Sequence, residues 1–430
     1  MDLKIPASKY PKLVIIGGGF AGIELAKKLR HLPLQVVMLD QHNYHTFQPL
    51  LYQVAMGGLE AGSISYPLRK FLRQIPNAIF RMAKVERVNT DLQMLHTDIG
   101  DLRYDYLVIA TGSKTNFFQL SERAIKSMKQ LKSIPQALDM RSYILENFEE
   151  AMLSGSESDK QKLLNIAIVG GGPTGVELAG ALAEMKLKIL PKDYPELDFN
   201  MMQVHLFEAG DSLLASMTKE SRDKALKYLK DFGVHVWLNT AVTDYKDDLL
   251  YLNNGQSLAT DTVIWTAGVK GATIEGLPDE VQLPNGRIKV DLYNRVEGLK
   301  NVFAIGDVAA MFCESFPKGH PMVAPVAMQQ GIHLAKNLGY LLTGRPLKPF
   351  SYFDKGSMAT VGRNKAVVDF PGGHLNMGGF LAWLAWMFVH LIYLIGFRNK
   401  LIVLVGWIYN YLNYDQTLRL IIRPVKRVRD

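Results

Sequence analysis

Cysteine is almost missing from this sequence: among 430 residues it occurs once, at Cys313. A single thiol excludes an internal disulfide, a CxxC redox pair and any four-cysteine metal site, and no metal is expected. It also fits a reducing compartment. Acidic residues are short as well, 41 against 49 lysines and arginines, which leaves a net charge of +8. Such a surplus points to an anionic partner, nucleic acid or lipid, and its distribution along the chain separates the two. The opening MDLKIPASKYPK has no apolar stretch, so no secretory signal is expected and the body should remain in the cytoplasm. With 48% hydrophobic and 21% charged residues, the chain reads as a folded α/β protein rather than a disordered one. Its length allows two or three domains, each with a core.

Five short apolar runs end in glycine-bearing turns. Lys12 to Ile16 runs into Gly17, and Asn165 to Val169 runs into Gly170. Tyr106 to Ile109 ends in Ala110, Thr111 and Gly112, and Thr262 to Trp265 ends in Thr266, Ala267 and Gly268. Val302 to Ile305 ends in Gly306 and Asp307. These are expected to be buried parallel strands whose loops approach a ligand. The first four repeat one pattern, so the chain should hold two similar α/β units, the second inserted in the first. The polar segment Glu150 to Lys162 is expected to be the linker into the second unit, with the return near Leu283 to Gly286. The expected division is 1–155 and 285–350 for the first unit, 156–284 for the second, and 351–430 for a separate C-terminal region.

The loop Gly17, Gly18, Gly19, Phe20, Ala21, Gly22 fits G-x-G-x-x-G between a strand and a helical run, Ala21 to Leu29. Gly17 allows the tight turn, Gly19 lets backbone approach a pyrophosphate, and Gly22 lets the helix pack on the sheet. The next strand, Gln35 to Leu39, ends in Asp40 beside Gln41, where an acid can bond ribose hydroxyls. Gly170 to Gly175 repeats the loop, with Gly170, Gly172, Thr174 and Gly175 as the binding positions and Val176 to Met185 as its helix. The matching strand, Val204 to Phe207, ends in Glu208. Its spacing from the loop exceeds the usual ~20 residues, and a surface loop around Leu190 to Pro195 accounts for the excess. A carboxylate there accepts a 2′-hydroxyl and repels a 2′-phosphate, so NADH should be preferred over NADPH.

Four further stretches are more specific: NYHTFQPLLYQVA (43–55), GGGPTGVE (170–177), NVFAIGDVA (301–309) and VAPVAMQQG (323–331). In this order they resemble the type II NADH:quinone oxidoreductases, and the resemblance covers nearly the whole chain. It implies two Rossmann-like domains of the glutathione-reductase kind with a C-terminal amphipathic helical membrane anchor. It further implies non-covalent FAD in the first unit, NADH as substrate on the second, and a membrane quinone as acceptor. Gly306 and Asp307 would place a carboxylate on the ribityl and pyrophosphate part of FAD, and Val85 would present backbone to adenine. Ala327 and Met328 would start a helix whose N-terminus faces the flavin's pyrimidine edge. Gln48, Pro49 and Gln329 would lie on the quinone side, with Ala267 and Gly268 on the nucleotide. Gln329 matches the second glutamine of the family's A-Q-x-A-x-Q motif, while Pro325 takes the place of the first.

Hydride transfer between such cofactors needs stacked rings and dry walls more than an acid or base. Glu177 is the candidate catalytic side chain, orienting the nicotinamide or the quinone face. The alternative is a first-turn glutamate that complements the helix dipole, a position that Glu24 occupies in the first unit. His45 and His320 are read as structural.

The run Gly379 to Phe397, GFLAWLAWMFVHLIYLIGF, is nineteen residues without a charge. Arg398 and Lys400 follow, then a second apolar run from Leu401 to Leu412 and a tail with Arg419, Arg423, Lys426, Arg427 and Arg429. Trp383, Trp386, Tyr393, Trp407, Tyr409 and Tyr411 are expected at a lipid–water interface. This pattern assigns the surplus charge to anionic lipid and not to nucleic acid. Three arrangements remain open: one membrane crossing, a monotopic pair of helices on the cytoplasmic face of the inner membrane, and a buried helix pair in a homodimer. Sulfide:quinone oxidoreductases and disulfide reductases need at least two cysteines and are excluded. A soluble electron-carrier reductase and a flavin-bound NADH sensor remain as alternatives, and no bundle of membrane helices suggests ion pumping.

Overall fold

A computed structural model describes residues 3–373 and 375–422. The chain forms two compact units, each assembled from three segments. The first holds residues 1–45, 66–114 and 269–354, and the second holds 46–65, 115–268 and 355–430. The divisions thus fall at 114/115 and 268/269, not at 155/156 and 284/285. From Lys355 on, the described residues of the C-terminal region pack with the second unit.

The first unit is built on a five-stranded parallel sheet. Its order is Val302–Ala304, Tyr106–Ile109, Lys12–Ile16, Gln35–Asp40, Ala78–Met82. Leu13 to Ile16 are buried, as are Gln35 to Leu39 and Leu107 to Ile109, which matches strands covered on both faces. Val14 pairs in register with Val37 on one side and Leu107 on the other. The three loops read from the sequence therefore leave adjacent strands at one edge of the sheet.

The second unit repeats the design with Lys129–Gln130, Thr262–Trp265, Asn165–Val169, Gln203–Phe207 and His235–Trp237. The segment expected to be a linker is mostly helical. Helix Ile134–Leu153 runs into it, and Glu157–Leu164 follows after three residues. Ser156 is an N-cap whose hydroxyl accepts the Asp159 N–H at 3.3 Å, and Leu163 and Leu164 are buried. The polar composition marked a capped helix with one wet face. Around Leu190 the expected surface loop is a short helix, Leu190–Asp193, with Leu190 fully buried.

After Lys355 the chain forms a three-stranded antiparallel sheet, Ser357–Thr360, Ala366–Asp369 and Asn376–Gly378. Two helices follow, Phe380–Tyr393 and Phe397–Asn413. The uncharged run is therefore broken after Tyr393, and among the described residues no helix is long and apolar enough to cross a membrane. That removes the single-crossing arrangement for 379–397. Arg423, Lys426, Arg427 and Arg429 lie outside the described residues.

Gly180, in the middle of helix Pro173–Lys188, lets this helix rest on the backbone of Val361. A β-carbon there would stand 2.7 Å from the Val361 carbonyl carbon and 3.0 Å from its oxygen. Alanine improves helix propensity by about 1 kcal/mol, but overpacking against backbone costs about 1–3 kcal/mol. Gly180→Ala should therefore lower the melting temperature; a rise would show that the sheet shifts without cost.

Candidate functional site: two glycine cradles and a buried carboxyl

In the first unit, Gly17 has φ +110° and Gly306 φ +74°, conformations that favour glycine. A β-carbon on Gly17 would overlap the Ala110 carbonyl oxygen, and one on Gly22 would overlap that of Gly17. Gly19 is different: a β-carbon there meets nothing within 4 Å. Helix Phe20–Lys28 starts at this open point, with no side-chain cap and no acid in its first turn. The first N–H groups of a helix have no partner within the helix itself, which suits such a start to an anion.

The neighbouring residues converge on that point. Asp40 accepts the Gly18 N–H at 2.6 Å and the His42 N–H at 2.7 Å, so its first task is to shape the loop; Gln41 beside it is exposed. The Gly306 N–H donates to Gln330 Oε1 at 2.7 Å, and Asp307 Oδ2 accepts the Ser113 hydroxyl at 2.6 Å. A β-carbon on Gly306 would stand 3.3 Å from those of both Ala21 and Ala327. Residues 21, 306 and 327 thus meet in one place. Gly331 permits this, because its Cα lies against the Ala21 carbonyl. Thr111 donates its hydroxyl to Ala272 O at 2.7 Å, and Gly112 has φ +70° with open space at its β position. Val85 opens a separate antiparallel ribbon, Val85–Asn89 with Met94–Thr97.

Two expectations in this unit need adjustment. The helix expected to begin at Ala327 and Met328 begins at Ala324. Pro325 occupies its first turn, where a missing N–H costs nothing. Gln329 has both ends of its amide on the Phe353 backbone, donating to O at 2.9 Å and accepting from N at 3.0 Å. His45 and His320 meet the Gly18 and Met311 carbonyls through Nδ1, in line with their structural reading.

The second unit copies the cradle. Gly170 has φ +112° and lies against Ala267, while a β-carbon on Gly175 would overlap the Gly170 carbonyl oxygen. Gly172 meets nothing within 4 Å, Thr174 beside it is exposed, and helix Pro173–Lys188 is likewise uncapped and free of acids in its first turn. Glu208 takes the part of Asp40, accepting the Gly171 and Gly210 N–H groups at 2.7 Å each. Thr266 ties the neighbouring strand end to Val169 O at 2.9 Å, and Gly268 follows with φ +74°. Gln48 and Pro49 lie in a short 3-10 turn of this unit, Gln48–Leu50, with Gln48 exposed.

Glu177 is not a solvated first-turn acid. It is 7% exposed, and Oε1 accepts the Trp386 indole N–H at 3.2 Å and the Thr360 N–H at 3.4 Å. Burial pushes its carboxyl up to about 8, against the two hydrogen bonds that pull it down. Glu24, its counterpart in the first unit, lies 3.9 Å from Lys27 near the surface instead. Trp386, expected at a lipid interface, is 1% exposed. It stacks on His390 with ring centroids 4.0 Å apart and meets Tyr52 edge-on. Burial holds His390 neutral, its imidazolium form pushed down to about 4. Trp407 is also buried, donating to Gln53 Oε1 at 2.7 Å, while Gln53 donates to the Tyr52 hydroxyl at 2.9 Å. Sequence reading missed Thr360 and Trp386 as partners of Glu177, and Tyr52 and Gln53 as neighbours of the Trp386 and Trp407 indoles. Only Tyr52 and Gln53 carried a signal, as members of the 43–55 stretch.

Residues 11–331 match the family model described as pyridine nucleotide-disulphide oxidoreductase, and residues 355–413 match the NDH2 C-terminal domain. The type II NADH:quinone oxidoreductase Ndh of Mycobacterium tuberculosis is 33% identical over 426 residues, covering 95% of this chain and 90% of that protein. The type II NADH:quinone oxidoreductase of Haemophilus influenzae is 34% identical over 380 residues, covering 81% and 84%. The fold also superposes on NDH2 of Plasmodium falciparum, solved in complex with NADH, with a TM-score of 0.88 at 22% identity over 96% of this chain and all of that one. Two uncapped glycine cradles, one buried carboxyl and a C-terminal domain of matching kind agree with these likenesses: the chain belongs to the type II NADH:quinone oxidoreductases, within the pyridine nucleotide-disulphide oxidoreductases.

Proposed function

We propose that this protein oxidises NADH and reduces a membrane quinone, with FAD bound non-covalently in the first cradle and NADH in the second. The observation that carries this reading is the pair of open positions at Gly19 and Gly172, each at the head of an uncapped helix. The other glycines of the two loops are explained by packing, against backbone at Gly17, Gly22, Gly170 and Gly175 and against side chains at Gly18 and Gly171. These two are not, and they leave room where a pyrophosphate would lie. When bound, FAD supplies the hydride and electron chemistry between NADH and quinone.

The chain's own residues bind and orient. Asp40 and Glu208 hold their loops by accepting one backbone N–H on each carboxylate oxygen, and each oxygen keeps a further lone pair for ribose hydroxyls. Asp307, aligned by Ser113, faces the same cradle edge as Gly306 and Ala327. With one thiol in the chain, Cys313, no dithiol takes part. The amide of Gln329 is committed to Phe353, so the quinone-side reading rests on Gln48 and Pro49 and on the Glu177 cluster.

Attachment to the membrane follows from the last two helices. In Phe397–Asn413 the buried face is Asn399, Val403 and Trp407, while Phe397, Leu401, Leu404, Val405, Ile408 and Leu412 are exposed. Helix Phe380–Tyr393 exposes Leu381, Leu384, Phe388 and Ile392. These stripes suit a monotopic anchor that lies in the interface, and the cytoplasmic face of the inner membrane is the location we assign. Arg419 serves the fold rather than lipid: it pairs with Asp193 and with Asp415 at 3.0 Å and is 18% exposed. Arg398, exposed beside the stripe, adds basic charge at that surface.

Purified protein should be yellow, with one FAD per chain. Gly19→Val should abolish flavin binding, since its side chain fills the open position; normal flavin content in a folded variant would sink the placement. Glu208→Gln should relax the preference for NADH over NADPH by roughly tenfold, about 1–2 kcal/mol of lost repulsion in a partly solvated site. An unchanged ratio of kcat/KM values would show that the acid is wrongly placed. Truncating the tail would also remove Trp386 and Trp407 from the core, so the anchor is better tested at its exposed stripe. Changing Phe388, Leu401 and Ile408 to Ser should lower partition onto anionic vesicles on the order of 100-fold at about 1 kcal/mol each, with the melting temperature held. A change from dimer to monomer with vesicle binding intact would instead favour the homodimer reading.

A further inference from the structure

Two adjacent phenylalanines near the entry to the second unit have opposite surroundings. Phe117 packs against the core of that unit, its ring centre 5.9 Å from that of Trp265. Phe118 is 67% exposed. One exposed apolar ring is ordinary on a protein surface, but the backbone beneath this one is not. Phe118 has φ +51°, in the left-handed region where a bulky side chain is rare and strained.

Neighbours within the unit hold that conformation. The Phe118 N–H donates to Asn116 Oδ1 at 3.0 Å. Asn116 is itself fixed, because its carbonyl accepts the Trp265 indole N–H at 2.9 Å and its own N–H donates to the Gly268 carbonyl at 3.3 Å. The tip of the Phe118 ring rests on Gly268, where a β-carbon would stand 3.0 Å from Cζ. Gly268, at φ +74°, lies three residues past the end of strand Thr262–Trp265. The strained residue and the strand end are therefore one assembly, and the rest of the phenyl ring is left in the open.

The order of the sheet says what belongs at that place. Strand Asn165–Val169, which runs into the second cradle, has Gln203–Phe207 on one side and Thr262–Trp265 on the other. Glu208 follows the first neighbour, while Ala267 and Gly268 follow the second. A dinucleotide laid across such strand ends, with its pyrophosphate at Gly172 and its adenosine ribose at Glu208, carries its other half over residues 266–268. We propose that Phe118 packs its exposed ring against the nicotinamide half of bound NADH. A phenyl face suits a flat heteroaromatic ring. The left-handed backbone turns Phe118 away from the core that takes Phe117, and the bare Gly268 lets its ring lie close to the strand end. The clamp through Asn116 sets the ring before the nucleotide arrives, which lowers the ordering cost of binding. Strain of this kind is kept where it serves a ligand.

The inference rests on the placement of NADH in the second cradle, and the test separates the two. With the FAD-loaded full chain, Phe118→Asn should lower kcat/KM for NADH roughly three- to tenfold, the size of one lost aromatic contact. The kcat/KM for a short-chain ubiquinone should be held. Asparagine tolerates the left-handed backbone, so the melting temperature should hold or rise. Phe118→Tyr, which keeps the ring, should behave as the unaltered protein. ADP-ribose, which lacks the nicotinamide, locates the contact: its inhibition constant against NADH should be the same in Phe118→Asn and the unaltered protein. An unchanged kcat/KM for NADH in Phe118→Asn would overturn the proposal. So would an equal weakening of ADP-ribose, which would make Phe118 a support of the whole cradle, or a loss that comes with a lower melting temperature and is not restored by Tyr. Failure of ADP-ribose to compete with NADH in the unaltered protein would instead overturn the placement on which the inference depends.

Discussion

Close approach of backbone to backbone governs both cradles. A carbonyl of the first loop glycine lies where a β-carbon of the last would be, at Gly17 with Gly22 and again at Gly170 with Gly175. That contact brings each helix N-terminus onto the end of its strand. The middle glycine of each loop then donates to the acid at the end of the neighbouring strand, Asp40 or Glu208. With the corners taken by backbone and carboxylate, each loop has one empty position, Gly19 or Gly172, and it coincides with the positive end of a helix. The open position is what remains when the neighbouring glycines of the turn have been placed.

The same helix that forms the second cradle also carries the buried acid. Glu177 faces inward one turn beyond the loop, and its partner is an indole from a helix 209 residues later. Trp386 would be costly to bury without a partner for its N–H, and Glu177 would be costly to bury without donors. Each resolves the other's problem, and Thr360 adds a second donor. The C-terminal helices are thereby part of the core on one side and apolar surface on the other. Asn399 and Asn410 strengthen the inner side by donating to the carbonyls of Ser65 and Gly58. The outer side keeps its exposed leucines, isoleucines and phenylalanines in a stripe, which in water has no favourable occupant.

Much of this was legible in the chain because the features are local. A strand, a glycine turn, a helix and an acid at the next strand end obey short-range steric rules, so Gly17 to Gly22, Asp40, Gly170 to Gly175 and Glu208 could be placed from spacing alone. Misreadings arose where composition stood in for contacts. Glu150 to Lys162 looked like a linker because it is polar, yet Ser156 caps a helix that buries Leu163 and Leu164. Trp386 looked interfacial because it lies in an apolar run of rings, and Arg419 looked lipid-facing because it lies in a basic tail.

By itself, then, the sequence determined the two glycine loops, the acids Asp40 and Glu208 that close them and the single thiol, since each follows from residue type and short spacing. Tertiary structure decided that Glu177 is buried, that Trp386 and Trp407 turn inward while their neighbours turn outward, and that the nineteen-residue run breaks into separate helices. The physical reason is the same in each case: a side chain's solvation depends on what packs against it, and those partners come from segments hundreds of residues away, which no local pattern encodes.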